Sequence, residues 1–235
     1  MGIAERRSTF AVAAVGLATV AAPLDRPIEP GGTATIPAAP ARHVSPAPEQ
    51  STAARAPGRA GHVRVVPGAS RVYGHGVVHR FRLEVEGGLP VRPRVFVRTV
   101  ERILADHRSW AARGGFALRR VSKGPVSFTV TLARPATTDR LCYPLATQGR
   151  LSCWNGRSAV LNFRRWRLGA KAYASHLRAY RTYVVNHEVG HGFGHGHAQC
   201  SAAGDKAPVM MQQTKGVSPC RPNPWPLRSE VGWAG

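Results

Sequence analysis

The most regular hydrophobic pattern of the chain lies between residues 174 and 193. Its inward positions follow one another at steps of three and four residues: Leu177, Tyr180, Val184, His187 and His191. This spacing puts all five side chains on one stripe of a helix, so the pattern predicts an α-helix over 174–193. The two histidines therefore continue the face that the apolar residues turn toward the protein interior.

Shorter apolar patterns upstream predict a further helix and several strands. Helical spacing predicts a helix over 94–112, which Gly114 and Gly115 would end. Asn155 and Gly156 tolerate positive φ angles, so they predict a β-hairpin with a type I′ turn. Partial alternation and short apolar runs predict strands at 77–85, 116–121, 126–132, 151–154 and 158–163.

Residues 1–22 have the pattern of an export signal. Two arginines precede an uncharged, Ala/Val-rich run at 10–22, which is shorter than the about 20 apolar residues that cross a bilayer. Val20-Ala21-Ala22 is a candidate cleavage site, whereas Pro23 disfavours cleavage, so a signal peptide and an uncleaved N-terminal anchor both stay open. We therefore expect a secreted protein, or one anchored at the outer face of the cytoplasmic membrane through this segment alone.

The following segment, 23–70, is rich in Pro, Ala, Gly and Ser and has few large apolar residues. Such a stretch buries too little apolar surface to offset the entropy of ordering it, so we expect a disordered linker. The folded domain is then predicted over 71–235, and we expect it to be a monomer.

The charge of the chain is strongly one-sided. Lys and Arg number 33 against 12 for Asp and Glu, which gives a formal net charge of +21 at pH 7. Such a field attracts polyanions, and acidic polymers of the cell envelope are candidate partners. The sequence has no recognisable nucleic-acid-binding motif, and an export signal argues against a genomic partner, so we expect no nucleic acid.

Four cysteines are present: Cys142, Cys153, Cys200 and Cys220. No two of them form a C-x-x-C pair, which disfavours a cysteine zinc site and a thioredoxin-like redox motif. An even number in an exported protein predicts two disulfides, for which three pairings exist. Sequence order favours Cys142–Cys153 and Cys200–Cys220, while four buried thiols are the alternative.

The chemistry is concentrated in the segment His187-Glu188-Val189-Gly190-His191-Gly192-Phe193-Gly194-His195-Gly196-His197. Residues four apart on a helix project from one face, so the first two histidines can offer imidazoles to one zinc ion. Gly194 accepts the left-handed angles that end a helix, which allows His197 to return as a third ligand. Glu188 lies next to the first ligand, where it can act as a general base on a water at the open fourth position.

This HExxHxxGxxH pattern resembles that of the metzincin metallopeptidases, whose second hallmark is a methionine turn beneath the zinc. In Pro208-Val209-Met210-Met211-Gln212, Met210 matches that methionine best and Met211 is the fallback. The resemblance implies an α+β, metzincin-like zincin fold: a mixed twisted sheet with a backing helix, a central zinc-binding helix, and a small irregular part after Gly194. Some metzincins place a tyrosine two residues after the methionine, where this chain has Gln212.

From the Arg80 region to the C-terminus, the chain also resembles a group of secreted actinomycete proteins of uncharacterised function. The matching motifs are Thr138-Asp139-Arg140-Leu141-Cys142, Ser152-Cys153-Trp154-Asn155-Gly156, Asn186-His187-Glu188 and Pro222-Asn223-Pro224-Trp225-Pro226. This second resemblance implies the fold more than it implies a substrate.

The resulting hypothesis is a secreted or envelope-anchored zinc peptidase that hydrolyses peptides or proteins with one catalytic Zn²⁺. One strand of the 151–163 hairpin would form the upper rim of the cleft and bind an extended peptide, unless the hairpin is only a buried structural element. The alternative is a non-catalytic, zinc-stabilised envelope protein that binds acidic polymers. Glu188 separates the two hypotheses, because a structural site needs the histidines but not this carboxylate.

Overall fold

The computed structural model describes residues 61–231, which form an α+β fold around one mixed sheet. The sheet order is β2-β4-β3-β5-β7-β6, and β1 adds to the far end of β3. The β4–β3, β3–β5 and β5–β7 pairs are parallel, whereas β2 and β6 pair antiparallel at the two edges. The strands are β1 (Val63–Val65), β2 (Tyr73–Gly74), β3 (Val77–Glu86), β4 (Phe116–Arg120), β5 (Phe128–Ala133), β6 (Cys153–Trp154) and β7 (Ser158–Asn162).

Five α-helices accompany the sheet in the described residues: α1 (Pro93–Leu104), α2 (Trp110–Arg113), α3 (Pro135–Cys142), α4 (Phe163–Leu168) and α5 (Leu177–Gly192). The predicted histidine-bearing helix is confirmed as α5, three residues shorter at its start and one at its end. Helices α3 and α4 were not predicted, because they are short and each begins directly after a strand, where the local apolar pattern is too brief to show a helical period.

The prediction of one continuous helix over 94–112 is wrong, since the chain breaks between α1 and α2. The Asp106 carboxylate accepts the Arg108 backbone N–H at 3.0 Å and pairs with its guanidinium at 2.8 Å, which favours a turn over a further helical residue. Ser109 Oγ then donates to Asn186 Oδ1 on α5 at 2.9 Å. This long-range bond redirects the chain, and no local spacing could reveal it.

Strand β7 shows how helices cover both faces of the sheet. Ala159 and Leu161 belong to the main core, which α1, α4 and α5 close. Val160, one residue between them, packs instead with Cys142 and Cys153 in a small second cluster under α3. Because side chains alternate across a strand, the hydrophobic run of β7 is buried on both faces. Burial on both faces holds β7 in place, and β7 in turn holds its edge partner β6 beside α5.

The hairpin predicted between β6 and β7 is confirmed, but its turn is not type I′. Gly156 has a φ of 88°, whereas Asn155 is outside the left-handed region that a type I′ turn requires at both central residues. The Asn155 side chain instead accepts the backbone N–H groups of Arg157 and Ser158 at 3.1 and 2.8 Å. An Asx-type contact therefore replaces the expected backbone geometry.

The linker predicted over 23–70 needs a correction at its C-terminal end. Val63 pairs opposite Glu86 as β1 adds to β3, and the Gly61 N–H donates to the Glu86 carboxylate at 2.7 Å. The ordered domain therefore includes residues 61–70, because three residues suffice for an edge strand but do not change the average composition of a long segment. The export signal over 1–22 and the rest of the linker lie outside the described residues.

Two disulfides are present, Cys142–Cys153 and Cys200–Cys220, as the sequence order favoured. The first joins the end of α3 to β6, and the second closes a loop in the irregular part that follows α5. Such bridges persist in oxidising compartments and are rare in the cytosol. Over residues 61–231, none of the helices has the length and apolar character that a membrane crossing requires.

Replacing Cys142 and Cys153 by Ala tests the contribution of the first bridge. Removing a cross-link over an 11-residue separation frees the unfolded chain, so we expect the free energy of unfolding to fall by about 2–3 kcal/mol. Denaturant unfolding of the oxidised wild type and the double variant measures this difference. Equal midpoints and equal slopes would show that the bridge contributes nothing.

Candidate metal centre

Helix α5 presents two histidines to the same side and then ends sharply so that a third can return. His187 and His191 lie one turn apart on the helix. Gly194, with a φ of 87°, follows the last helical turn, and its N–H donates to the His191 carbonyl at 3.0 Å while the His195 N–H donates to the Gly190 carbonyl at 3.1 Å. These are the two bonds of a Schellman motif, which requires a left-handed residue at the place of Gly194.

The turn brings His197 beside the two helical histidines. One ligand atom from each of His187, His191 and His197 lies within 4.8 Å of the others. His187 is buried, His191 is half-buried and His197 is exposed, so the cluster has a closed side toward the core and an open side toward solvent. Three convergent imidazoles with one open side form a group that could hold a metal ion.

Two backbone carbonyls orient two of the three imidazoles. Nδ1 of His187 lies 2.9 Å from the Val209 carbonyl oxygen, and Nδ1 of His191 lies 2.8 Å from the His195 carbonyl oxygen. A carbonyl only accepts, so each Nδ1 carries the proton and each Nε2 keeps a free lone pair. Metal-binding histidines are commonly fixed by partners of this kind.

The histidines are poised in their neutral, metal-binding form. Burial lowers the pKa of His187 to about 3, and burial also lowers the pKa of His191 and His197. All three rings are therefore deprotonated near pH 7, as metal ligation requires. Imidazole sets suit zinc and other transition metals, whereas calcium and magnesium prefer oxygen ligands, so the residues fit the predicted zinc but do not identify it.

Glu188 lies in the same cleft as the three histidines and is 5% exposed. Burial raises the pKa of its carboxyl group to about 8. A positive ion bound by the neighbouring imidazoles would act in the opposite direction and favour the carboxylate. A carboxyl group that is balanced in this way can both accept and return a proton near neutral pH.

Met210 packs directly beneath the helix segment that carries His187 and His191. A Cβ added to Gly190 would lie 2.5 Å from the Met210 sulfur and 2.7 Å from the Trp110 ring. Glycine is therefore required between the two helical histidines, because the methionine and the tryptophan fill its space. The backbone of the turn that contains Met210 also contacts the site. The Val209 carbonyl orients His187, and the Met210 carbonyl accepts the Ala198 N–H at 3.1 Å.

Glu230 is a supporting residue that the sequence did not reveal. Its carboxylate accepts the backbone N–H groups of Val209 at 2.9 Å, Met210 at 2.8 Å and Leu227 at 2.8 Å. These bonds hold the turn that bears the His187 partner against the C-terminal segment. A single glutamate far from the motif has no local pattern, so only the three-dimensional structure could identify it.

A buried asparagine joins three distant segments behind the three histidines. The side-chain amide of Asn186 accepts from Ser109 Oγ and donates to the Pro224 carbonyl at 3.0 Å. The backbone carbonyl of Asn186 accepts from Trp110 Nε1 at 2.8 Å. The Trp110 ring stacks on His195 with centroids 4.4 Å apart. His195 is therefore part of the support for the site: its ring is half-buried, and its backbone carbonyl orients His191.

The histidines open into a cleft of about 440 Å³. Edge strand β6 supplies one side, and the Trp154 ring closes over the end of α5, where a Cβ on Gly192 would come within 2.9 Å of it. Asp139 accepts from Thr147 Oγ1 and from the Gly149 N–H, which anchors the loop above β6. The cleft lining comprises Leu145, Ala146, Thr147, Leu151, Ser152, Cys153, Trp154, Tyr183, His187, Glu188, His191, Gly194, His195, Gly196, His197, Gln212, Thr214 and Lys215.

Residues 50–227 match a domain family described as protein of unknown function (DUF3152). The match spans more than half of the 235 residues, so the chain belongs to this family. No curated protein matches the chain, and no solved structure does. The family description assigns no activity, so function has to be argued from the site.

Gly190→Ala tests the close packing beneath the ligands. The new methyl group would overlap with Met210 and Trp110, so we expect the free energy of unfolding to fall by about 1–3 kcal/mol. Gly196→Ala is the matched control, because a Cβ there meets nothing within 4 Å, and we expect a change below about 0.5 kcal/mol. Thermal and denaturant unfolding of the two metal-free variants measures both values. Equal stability of the variants would contradict this packing.

Proposed function

We propose that the protein is a secreted or envelope-anchored zinc peptidase of the metzincin kind, with His187, His191 and His197 as ligands and Glu188 as general base. The observation that carries the proposal is the convergence of three imidazoles, two of them oriented by backbone carbonyls, beside a buried carboxyl group in an open cleft. The two disulfides accord with export into an oxidising compartment.

His187 and His191 would hold the ion through the ring nitrogens that the carbonyls leave free, and His197 would supply the third nitrogen. When bound, zinc supplies a Lewis acid that polarises a carbonyl group and lowers the pKa of a water to about 7. His187 is fixed from the core side, while exposed His197 leaves the solvent side open to substrate. A set of three protein ligands with an open position is typical of catalytic zinc sites.

Glu188 performs the proton transfers in this proposal. Its carboxylate accepts a proton from the attacking water as the new carbon–oxygen bond forms, and it returns the proton to the leaving amine as the carbon–nitrogen bond breaks. Burial keeps competing solvent away from the carboxyl group and brings its pKa near the working range.

The edge of the sheet supports an extended peptide as substrate. Strand β6 ends the strand order, pairs only with β7 among the described strands, and lines the cleft through Cys153 and Trp154. A strand edge offers backbone N–H and C=O groups to an incoming extended chain. This arrangement favours the hypothesis that β6 binds a peptide by strand addition. It is less consistent with the alternative that the β6–β7 hairpin is only a structural element.

Gln212 is the main departure from the metzincin pattern. It lines the cleft where some metzincins place a tyrosine, and its side-chain oxygen accepts from Lys215 Nζ at 3.1 Å. Neither the amide of Gln212 nor its pair with Lys215 reproduces the hydroxyl group of a tyrosine. Any stabilisation of the developing oxyanion at this place would therefore come from different donors.

The alternative function, a zinc-stabilised envelope protein without activity, predicts a closed site. Structural zinc is almost always held by four protein ligands. Within residues 61–231, the metal-binding group consists of three histidines, and the cleft beside it is open. These features favour the catalytic proposal.

Glu188→Gln separates the two functions. The amide keeps the shape of the side chain but cannot accept the proton, so we expect zinc binding to persist and peptide hydrolysis to fall by about 10²- to 10⁴-fold. Digestion of a peptide library by the zinc-loaded wild type and variant, with elemental analysis of both, measures the two properties. Undiminished hydrolysis in the variant would remove Glu188 from the role of base.

His191→Ala tests the ligand assignment. Losing one of three imidazoles should abolish stoichiometric zinc binding and, with it, the rise in melting temperature that a metal bound only to the folded state produces. Elemental analysis and melting curves with and without a chelator measure this. Zinc content equal to that of the wild type would show that the ion binds elsewhere.

A further inference from the structure

The longest part of the chain without a carboxylate lies between Asp139 and Glu188. Over residues 140–187 there is no aspartate or glutamate, whereas nine cationic residues occur: Arg140, Arg150, Arg157, Arg164, Arg165, Arg167, Lys171, Arg178 and Arg181. Elsewhere in the domain, some arginines form ion pairs, such as Arg120 with Glu101 and Arg134 with Glu86. Within residues 61–231, none of the nine cations of this segment forms an ion pair with a carboxylate.

The structure gathers three of these cations around one concave surface. A cavity of about 290 Å³ between α4 and the segment that leads to α5 is lined by Arg164, Arg165 and Lys171 together with Leu168, Gly169, Ala170 and Ala174. None of these lining residues is acidic. In the described part of the chain, none of the three cations forms an ion pair with a carboxylate.

Arg165 is held in place at this cavity. Its Nε donates to the Arg150 carbonyl at 2.6 Å, and its Nη1 donates to the Gly169 carbonyl at 3.2 Å. These bonds fix a half-buried guanidinium group without neutralising its charge. A fixed guanidinium loses little entropy when it binds an anion, and its planar set of donors matches the oxygens of a phosphoryl group.

The floor of the cavity is rigid as well. Gly169 is buried with a φ of 72°, and a Cβ there would touch Leu177 and Tyr180 at 3.6 Å. The backbone of the cavity thus rests directly on α5, whose Tyr180 is fully buried. A preformed concave surface of this kind favours specific binding of one ligand over nonspecific electrostatic attraction of ions.

The neighbouring cavity does not extend this cationic surface. It has a volume of about 220 Å³, shares Arg164 and Leu168 with the first cavity, and exposes only apolar atoms. The cationic donors are therefore concentrated at the first cavity, where Arg164, Arg165 and Lys171 meet. We propose that this cavity between α4 and the segment that leads to α5 binds a phosphoryl group of a polyanion, independent of the peptidase cleft.

The test uses the full zinc-loaded chain and tripolyphosphate as the probe. Arg164→Gln combined with Lys171→Gln removes two exposed cations of the site and keeps the Arg165 contacts. The matched control, Arg98→Gln with Arg102→Gln, removes the same charge from the exposed side of α1. All three proteins keep the same histidine cluster, so any contact of the probe with the metal cancels in the comparison.

We expect calorimetric affinity for tripolyphosphate to fall by about tenfold or more in the α4 variant, because charge-assisted hydrogen bonds are lost. In the control, only the general field changes, and we expect affinity within about threefold of the wild type. Equal losses in both variants, or no loss in either, would overturn the proposal. Neither result depends on whether the chain hydrolyses peptides.

A vesicle experiment identifies the source of the phosphoryl groups. Sedimentation with phosphatidylglycerol vesicles, against phosphatidylcholine vesicles as the neutral control, measures lipid binding of the same three proteins. Binding to the anionic vesicles that the α4 variant alone loses supports the site and assigns it to a membrane surface. Tripolyphosphate binding with no such vesicle binding supports the site and assigns it to a soluble or wall-linked polymer.

Discussion

The candidate site depends on two hydrogen bonds from imidazole Nδ1 atoms to backbone carbonyls. The bond from His187 to Val209 links α5 to the turn that contains Met210, and the bond from His191 to His195 links the helix to its own C-terminal turn. Together they set the tautomer and the direction of both rings. Without them, the two rings would have no fixed orientation toward a common ion.

These two bonds are themselves supported by residues far away in the sequence. Glu230 holds the turn that carries the Val209 carbonyl, and the Schellman motif at Gly194 holds the peptide that carries the His195 carbonyl. Asn186 connects the start of α2, the ligand helix and the C-terminal segment. Buried polar groups that are fully bonded in this way restrict the domain to one arrangement, which is what a site with close geometric demands requires.

The sequence predicted the parts that depend on local spacing. The helical stripe from Leu177 to His191 and the two strands of the β6–β7 hairpin were predicted, because helix and strand periods repeat along the chain. The sequence order also favoured the correct disulfide pairing, since short loops are easily closed. The convergence of His197 on the helix was an expectation from spacing, and its realisation rests on the left-handed conformation of Gly194.

Non-local features could not be predicted. The break after α1 depends on Ser109 bonding to Asn186, and the role of Glu230 depends on the fold of residues 193–231, which contain little regular structure. The arrangement of the site implies that three imidazoles bind one ion, with His187 and His191 coordinating through Nε2. X-ray absorption at the zinc edge, combined with anomalous diffraction, tests this directly: we predict one ion with three nitrogens at about 2.0–2.1 Å and an oxygen in the open position. An ion bound through Nδ1 of His187 or His191, bound without His197, or enclosed by four protein ligands would rule out this arrangement.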